Sequence, residues 1–207
     1  MRRTLTALLL VATLLAGCGP AGSVISRTAS DLARSDVPRQ MEPAADADDV
    51  RLLAQANAAF ALDLYAALRS RPGNLFFSPH SIAQALAMTY AGAAGETERQ
   101  MREVLHYDLL ADRVHPAWNA LDLALASRAA DLAGKQGTGF SLHTANALWG
   151  QAGHEFRPEF LDTLAAHHDA GMRLVDYVAA AEEARRTINS WVTEETEGRI
   201  EYLIPEG

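Results

Sequence analysis

The side chains of this chain able to bind a metal or move a proton fall into a few groups: His154-Glu155, the pair His167-His168, and the acidic sets Glu182-Glu183 and Glu194-Glu195-x-Glu197. A hydrolytic zinc site built on one helix needs H-E-x-x-H, which puts two imidazoles on one face with a general base between them. Four residues after His154 stands Pro158, and the one cysteine, Cys18, has no second thiol to work with. No metal site and no cofactor is therefore expected. The glutamate pairs lie in a stretch of helical spacing, where a solvated helix face is the simplest reading and a glycosidase-type acid pair finds no support. Nucleophilic chemistry fares no better. The chain has no G-x-S-x-G elbow, no S-x-x-K and no glycine-rich phosphate loop. An enzyme is not expected.

Composition narrows the remaining classes. With 207 residues, 49% hydrophobic and 21% charged, the chain can bury one fair-sized core. Its formal net charge of -8 and the lack of clustered basic residues exclude a nucleic-acid partner, which would need phosphates neutralised in groups.

The N-terminus follows its own logic. Arg2 and Arg3 precede the apolar run Leu5 to Ala16, which is too short for a membrane span of about 20 residues and reads as an export signal over residues 1–17. The ending Leu15-Ala16-Gly17-Cys18 resembles the lipobox of bacterial lipoproteins. That resemblance implies a lipid on the Cys18 thiol and a protein exported and held at the cell envelope or extracellular surface. A single cysteine also rules out an internal disulfide. Residues 18–49, rich in Ala, Ser, Asp and Pro, are expected to form a flexible tether, and 50–207 the folded domain.

Within that domain the apolar periodicity predicts mostly helices. Leu53, Ala56, Phe60, Leu64 and Leu68 recur at helical spacing and Arg71-Pro72-Gly73 stops them. Leu75-Phe76-Phe77 reads as a short strand covered on both faces, with Ser78 as N-cap and Pro79 as first residue of the next helix. In that helix Ile82, Leu86 and Tyr90 form the apolar face beside Ala83 and Ala87. Thr97 and Gln100 make a capping-box pattern before Met101, Val104 and Leu105, and a further helix carries Trp118, Leu121, Leu125 and Leu132 after Pro116. Phe140 to Trp149 and Met172 to Val178 are strand candidates. A helix begins near Pro158, and another carries Ala184, Ile188, Trp191 and Val192 up to Gly198.

Four segments in order carry a resemblance: NAAF at Asn57 to Phe60 with Leu64-Tyr65, NLFFSPHSIAQALAMTYAGAAGETERQM from Asn74, TANALWGQ from Thr144, and INSWVTEETEGRIEYLI from Ile188. Together they resemble the N-terminal part of a serpin domain, with His80 and Ala91 as minor departures. The resemblance implies an α+β fold of N-terminal helices with the first strands of the main β-sheet, an incomplete domain. It also implies roles for particular residues. Asn74, Ser78 and Ser81 match polar residues of the family's shutter, where the sheet parts to take in a strand, and Asn189 matches a shutter-facing asparagine. On the residues alone Ser78 is an N-cap and Asn189 a solvated helix residue, and that reading stands beside the other.

By the same resemblance the function is inhibition of serine or cysteine proteases by a suicide-substrate loop that inserts into the sheet. In the family that loop lies near the C-terminal end of the domain, so these 207 residues are expected to lack it and to be inactive alone. A non-inhibitory binding or structural surface lipoprotein is the alternative.

Overall fold

A computed structural model describes residues 31–136 and 144–207. The signal segment 1–17, Cys18, the tether up to residue 30 and residues 140–143 of the expected strand lie outside the described residues. In chain order the elements are β1 (Asp31–Ala33), α1 (Ala47–Leu68), α2 (Pro79–Tyr90), α3 (Gly95–Val104), α4 (Ala111–Gln136), β2 (Leu148–Gln151), α5 (Pro158–His168), β3 (Met172–Val175) and α6 (Ala181–Glu195).

Helical periodicity translates directly into the core. Leu53, Ala56 and Phe60 are buried along α1 and meet Ala83, Ala87 and Tyr90 of α2 and Val114, Ala117 and Trp118 of α4. The short link between α3 and α4 adds Leu105, Tyr107 and Leu109. Trp118 donates its indole N–H to the Tyr107 hydroxyl at 2.9 Å inside this cluster, which lets two large rings be buried with their polar ends paired. Burial pushes the Tyr107 phenol up. On α2 the buried face is the one with the small alanines, so Ile82 stays 37% exposed where it was expected inward.

The three strands form one sheet in the order β1-β3-β2. β2 and β3 run parallel, with Trp149 beside Arg173 and Gly150 beside Leu174, and α5 supplies the crossover that parallel strands require. β1 is antiparallel to β3 on the other side, Asp31 facing Leu174 and Ala33 facing Met172. At Gly150 a Cβ would lie 2.6 Å from the Phe156 ring and 3.0 Å from the Met172 side chain, so a larger residue would require these side chains to shift.

Several expectations are corrected. The described part of the supposed tether, residues 31–49, is strand, extended chain and the first turn of α1. Its polar residues have specific partners: the Asp46 carboxylate accepts from the amides of Asp48 and Asp49, and Asp49 accepts from the Asp46 amide. This is a capping box built from aspartates. Arg113 of α4 pairs with Asp49 and holds its carboxyl below the usual range. Thr97 and Gln100, in contrast, lie inside α3, whose N-cap is Ala94 and has no side-chain cap. Leu75-Phe76-Phe77 is not a strand. No described strand pairs with it, and backbone without a hydrogen-bonded neighbour has no reason to adopt ladder geometry; Phe76 is 99% exposed. Among the described residues of the other two strand candidates, Leu148 and Trp149 fall in β2 and Met172–Val175 form β3, the second ending where Asp176 accepts from the amides of Val178 and Ala179 and turns the chain. α4 begins ahead of Pro116 and runs through it.

Candidate functional site

The predicted site residues fall into two polar devices, one at α2 and one on α6. The first is the start of α2. Gly73, at φ +95°, turns the chain after α1, and the exposed Asn74 opens the extended stretch that leads to Ser78. The Ser78 hydroxyl accepts from the Ser81 amide at 3.2 Å and donates to the Ser81 hydroxyl at 3.1 Å. Ser78 is thus the N-cap that its place before Pro79 predicts. His80, next along, is half-buried with its ring 5.5 Å from Trp118, and burial pushes its imidazole below its ordinary value.

The second device is the inner face of α6. Asn189 is 6% exposed, so it is not a solvated helix residue. Its Nδ2 donates to the Ile204 carbonyl at 2.9 Å, and its Oδ1 accepts from the amides of Leu203 at 3.1 Å and Ile204 at 2.9 Å. The chain reaches this position by reversing after α6. Glu197 and Gly198 adopt φ +52° and +77°, and the Gly198 amide returns to the Thr193 carbonyl at 2.8 Å. Residues 200–204 then run back along the helix, with Thr193 donating to the Ile200 carbonyl at 3.2 Å.

The sheet touches both helices. Trp191 of α6 meets Trp149 of β2 edge to face, centroids 5.9 Å apart. The Arg173 guanidinium of β3 stands 5.7 Å from the Trp149 ring and 5.3 Å from the Trp191 ring, so α6 is seated across the two strands by stacking and cation–π attraction. On the α2 side the buried Gln84 accepts from Asn146 at 2.9 Å, just ahead of β2. Sequence reasoning missed Gln84. Its signal was an uncharged amide on the same face as Ala83 and Ala87.

The structure does not join the predicted site residues directly: no hydrogen bond links Asn189 to Ser78 or Ser81 among the described residues. What connects α2 to α6 is β2, through Gln84 and Asn146 at one end and Trp149 and Trp191 on its face. On its side away from β3, β2 has no strand partner among the described residues. A sheet edge without a neighbouring strand is a template for another strand.

Against known proteins, residues 55–206 match the family described as Serpin (serine protease inhibitor). The chain belongs to the serpin family. It is 43% identical over 157 residues to the leukocyte elastase inhibitor of Sus scrofa and 38% identical over 157 residues to that of Homo sapiens. Each match covers 75% of this chain and 39% of the relative, so this serpin chain spans well under half the length of those curated proteins. Among solved structures, Arabidopsis AtSerpin1 in its native stressed conformation is similar with a TM-score of 0.61 and 27% identity, over 77% of this chain and 39% of that one. The fold is therefore α+β and serpin-like, a part of the domain seen in that structure.

Proposed function

We propose that this serpin chain is the sheet-opening portion of a serine protease inhibitor that traps its target by strand insertion, and that a lipid on Cys18 holds it at a membrane surface. The observation that supports the inhibitory reading best is the placement of α6 over β2, whose outer edge has no strand partner among the described residues. A strand entering along that edge would gain a ladder of backbone hydrogen bonds. It would also have to move α6, whose polar attachment at Asn189 can exchange one backbone partner for another, which an apolar contact cannot do. In this reading Asn74, Ser78 and Ser81 are the counterpart on α2, and the target is an elastase-like serine protease, as the names of the relatives suggest. The serpin chain itself catalyses nothing in this scheme; the protease performs the cleavage.

A chimera tests the reading. Residues 50–207 would replace the matching portion of the Sus scrofa leukocyte elastase inhibitor and the product would be mixed with elastase. A covalent complex stable in detergent, at the summed mass of the two proteins, is expected. A chimera that melts cooperatively yet is cleaved as a plain substrate would overturn it and favour a binding or structural role. The 207 residues on their own should be digested without complex formation.

A further inference from the structure

Residues 31–46 precede the stretch shared with the family, which starts at residue 55, yet they are fastened to the body along their length. β1 covers the outer edge of β3. Arg34 then pairs with Asp169 at 2.5 Å and the Ser35 hydroxyl donates to Asp162. Arg39 reaches the Asn119 side-chain oxygen at 2.9 Å and Asp122 at 2.5 Å. The Gln40 amide donates to the Ala166 carbonyl at 2.9 Å, and its carbonyl accepts from Asn119 at 2.6 Å. The body is shaped for this strap. A Cβ on Gly171 would sit 2.8 Å from the Ala33 carbonyl oxygen, so β1 lies where only glycine leaves room.

Where the strap crosses between α5 and α4, three imidazoles meet. The His115 Nδ1 and His168 Nε2 atoms are 3.1 Å apart, a hydrogen bond that requires one ring to donate and the other to accept. His167 stacks on His115 with centroids 6.3 Å apart, and its Nδ1 is buried without a hydrogen-bond partner. From α2 the Tyr90 ring faces His115 at 5.8 Å, with its hydroxyl 3.3 Å from Glu98 of α3. Three carboxylates on α4 and at α5 hold the strap: Asp122 and Asp169 pair with its arginines and Asp162 accepts from Ser35. Arg39 already acts on His168 as a like charge, so a positive charge in the cluster would repel it and loosen its hold on Asp122. We propose that residues 31–46 are a releasable strap with the His115–His167–His168 cluster as its clasp, and that proton uptake by the cluster frees the strap and bares the edge of β3.

The sign of the pH effect follows from burial. It pushes His115 down to about 4 and, with the neighbouring imidazoles and Arg39 adding to it, His168 down to about 3, while released rings return towards 6.5. The open state therefore binds more protons than the closed one between those values, and acid favours release. None of this depends on the inhibitory reading.

Amide hydrogen exchange of the full chain, corrected for intrinsic rates, tests it. Between pH 7.5 and pH 5, segments 31–40 and 172–175 should lose protection by about tenfold or more, while the α1 core at 53–60 holds its own. Gly171→Ala should show the fast exchange of 31–40 already at pH 7.5, and His115→Gln should flatten the pH step. Protection of 31–40 that persists at pH 5, or that falls only in step with 53–60, would overturn the proposal. So would a full pH step in His115→Gln.

Discussion

Asn189 pairs with Ile204 as an adjacent strand would: its Nδ2 donates to the carbonyl at 2.9 Å and its Oδ1 accepts from the amide at 2.9 Å. One buried side chain thus fastens the end of the returning segment, while Thr193 and Thr196 hold its start at Ile200. Asn189→Ala should leave the Leu203 and Ile204 amides without their partner, though the Ile204 carbonyl keeps Arg185, and cost about 1–3 kcal/mol. A lowered urea midpoint and faster tryptic cleavage after Arg199 are the expected readouts. Unchanged cleavage would mean that residues 200–204 are held by other contacts.

Ser78 acts first as a cap. Ser78→Ala should destabilise the domain by about 1 kcal/mol, the usual cost of losing an N-cap oxygen. Ser81→Ala removes only a hydroxyl that accepts from Ser78, so its effect on the urea midpoint should be clearly smaller. Equal losses would contradict this division of roles.

Stability should decline in acid. His115 and His168 are held neutral in the fold, at about 4 and about 3, against 6.5 when exposed. Between pH 6.5 and 4 the unfolded chain binds the extra protons, so each ring removes about 1.4 kcal/mol per pH unit as pH falls through that window. Above pH 6.5 both rings are neutral in either state and the slope from them vanishes. Urea midpoints at pH 7.5, 6.5, 5.5 and 4.5 would trace this, and a flat profile would show that the rings are solvated.

Cys18 is the proposed attachment to a membrane. Cys18→Ser should move the protein from the membrane to the soluble fraction of its host, and mass spectrometry of the unaltered protein should find lipid on the Cys18 thiol. Membrane partitioning that survives the substitution would remove the case for the anchor.

How much of this was legible in the chain differs from element to element. The Leu53-Ala56-Phe60 stripe and the Ser78-Pro79 helix start are local signals, and both are found where the residues place them. A helix closes its own hydrogen bonds within a few residues, so its apolar face can be read off spacing alone. The serpin resemblance, carried by four segments in order, is likewise in the sequence and is matched over residues 55–206.

Strands were read less well, for a physical reason. A strand exists only if another segment pairs with it, and spacing within Leu75 to Phe77 or Phe140 to Trp149 says nothing about that partner. The same holds for the polar residues. Nothing in the local sequence told the serine, aspartates and arginines of residues 31–49 from those of a tether, because their partners, Asp162, Asp169, Asn119 and Arg113, are distant in the chain. Asn189 looked like one more polar residue on an acidic helix until the fold brought Ile204 back beside it. His115 and His168 became a pair only when α4 and α5 packed together. The sequence by itself determined the helices, the family and the cap. Tertiary structure alone decided which backbone is paired and which polar groups are buried, since both depend on what distant segments place next to them.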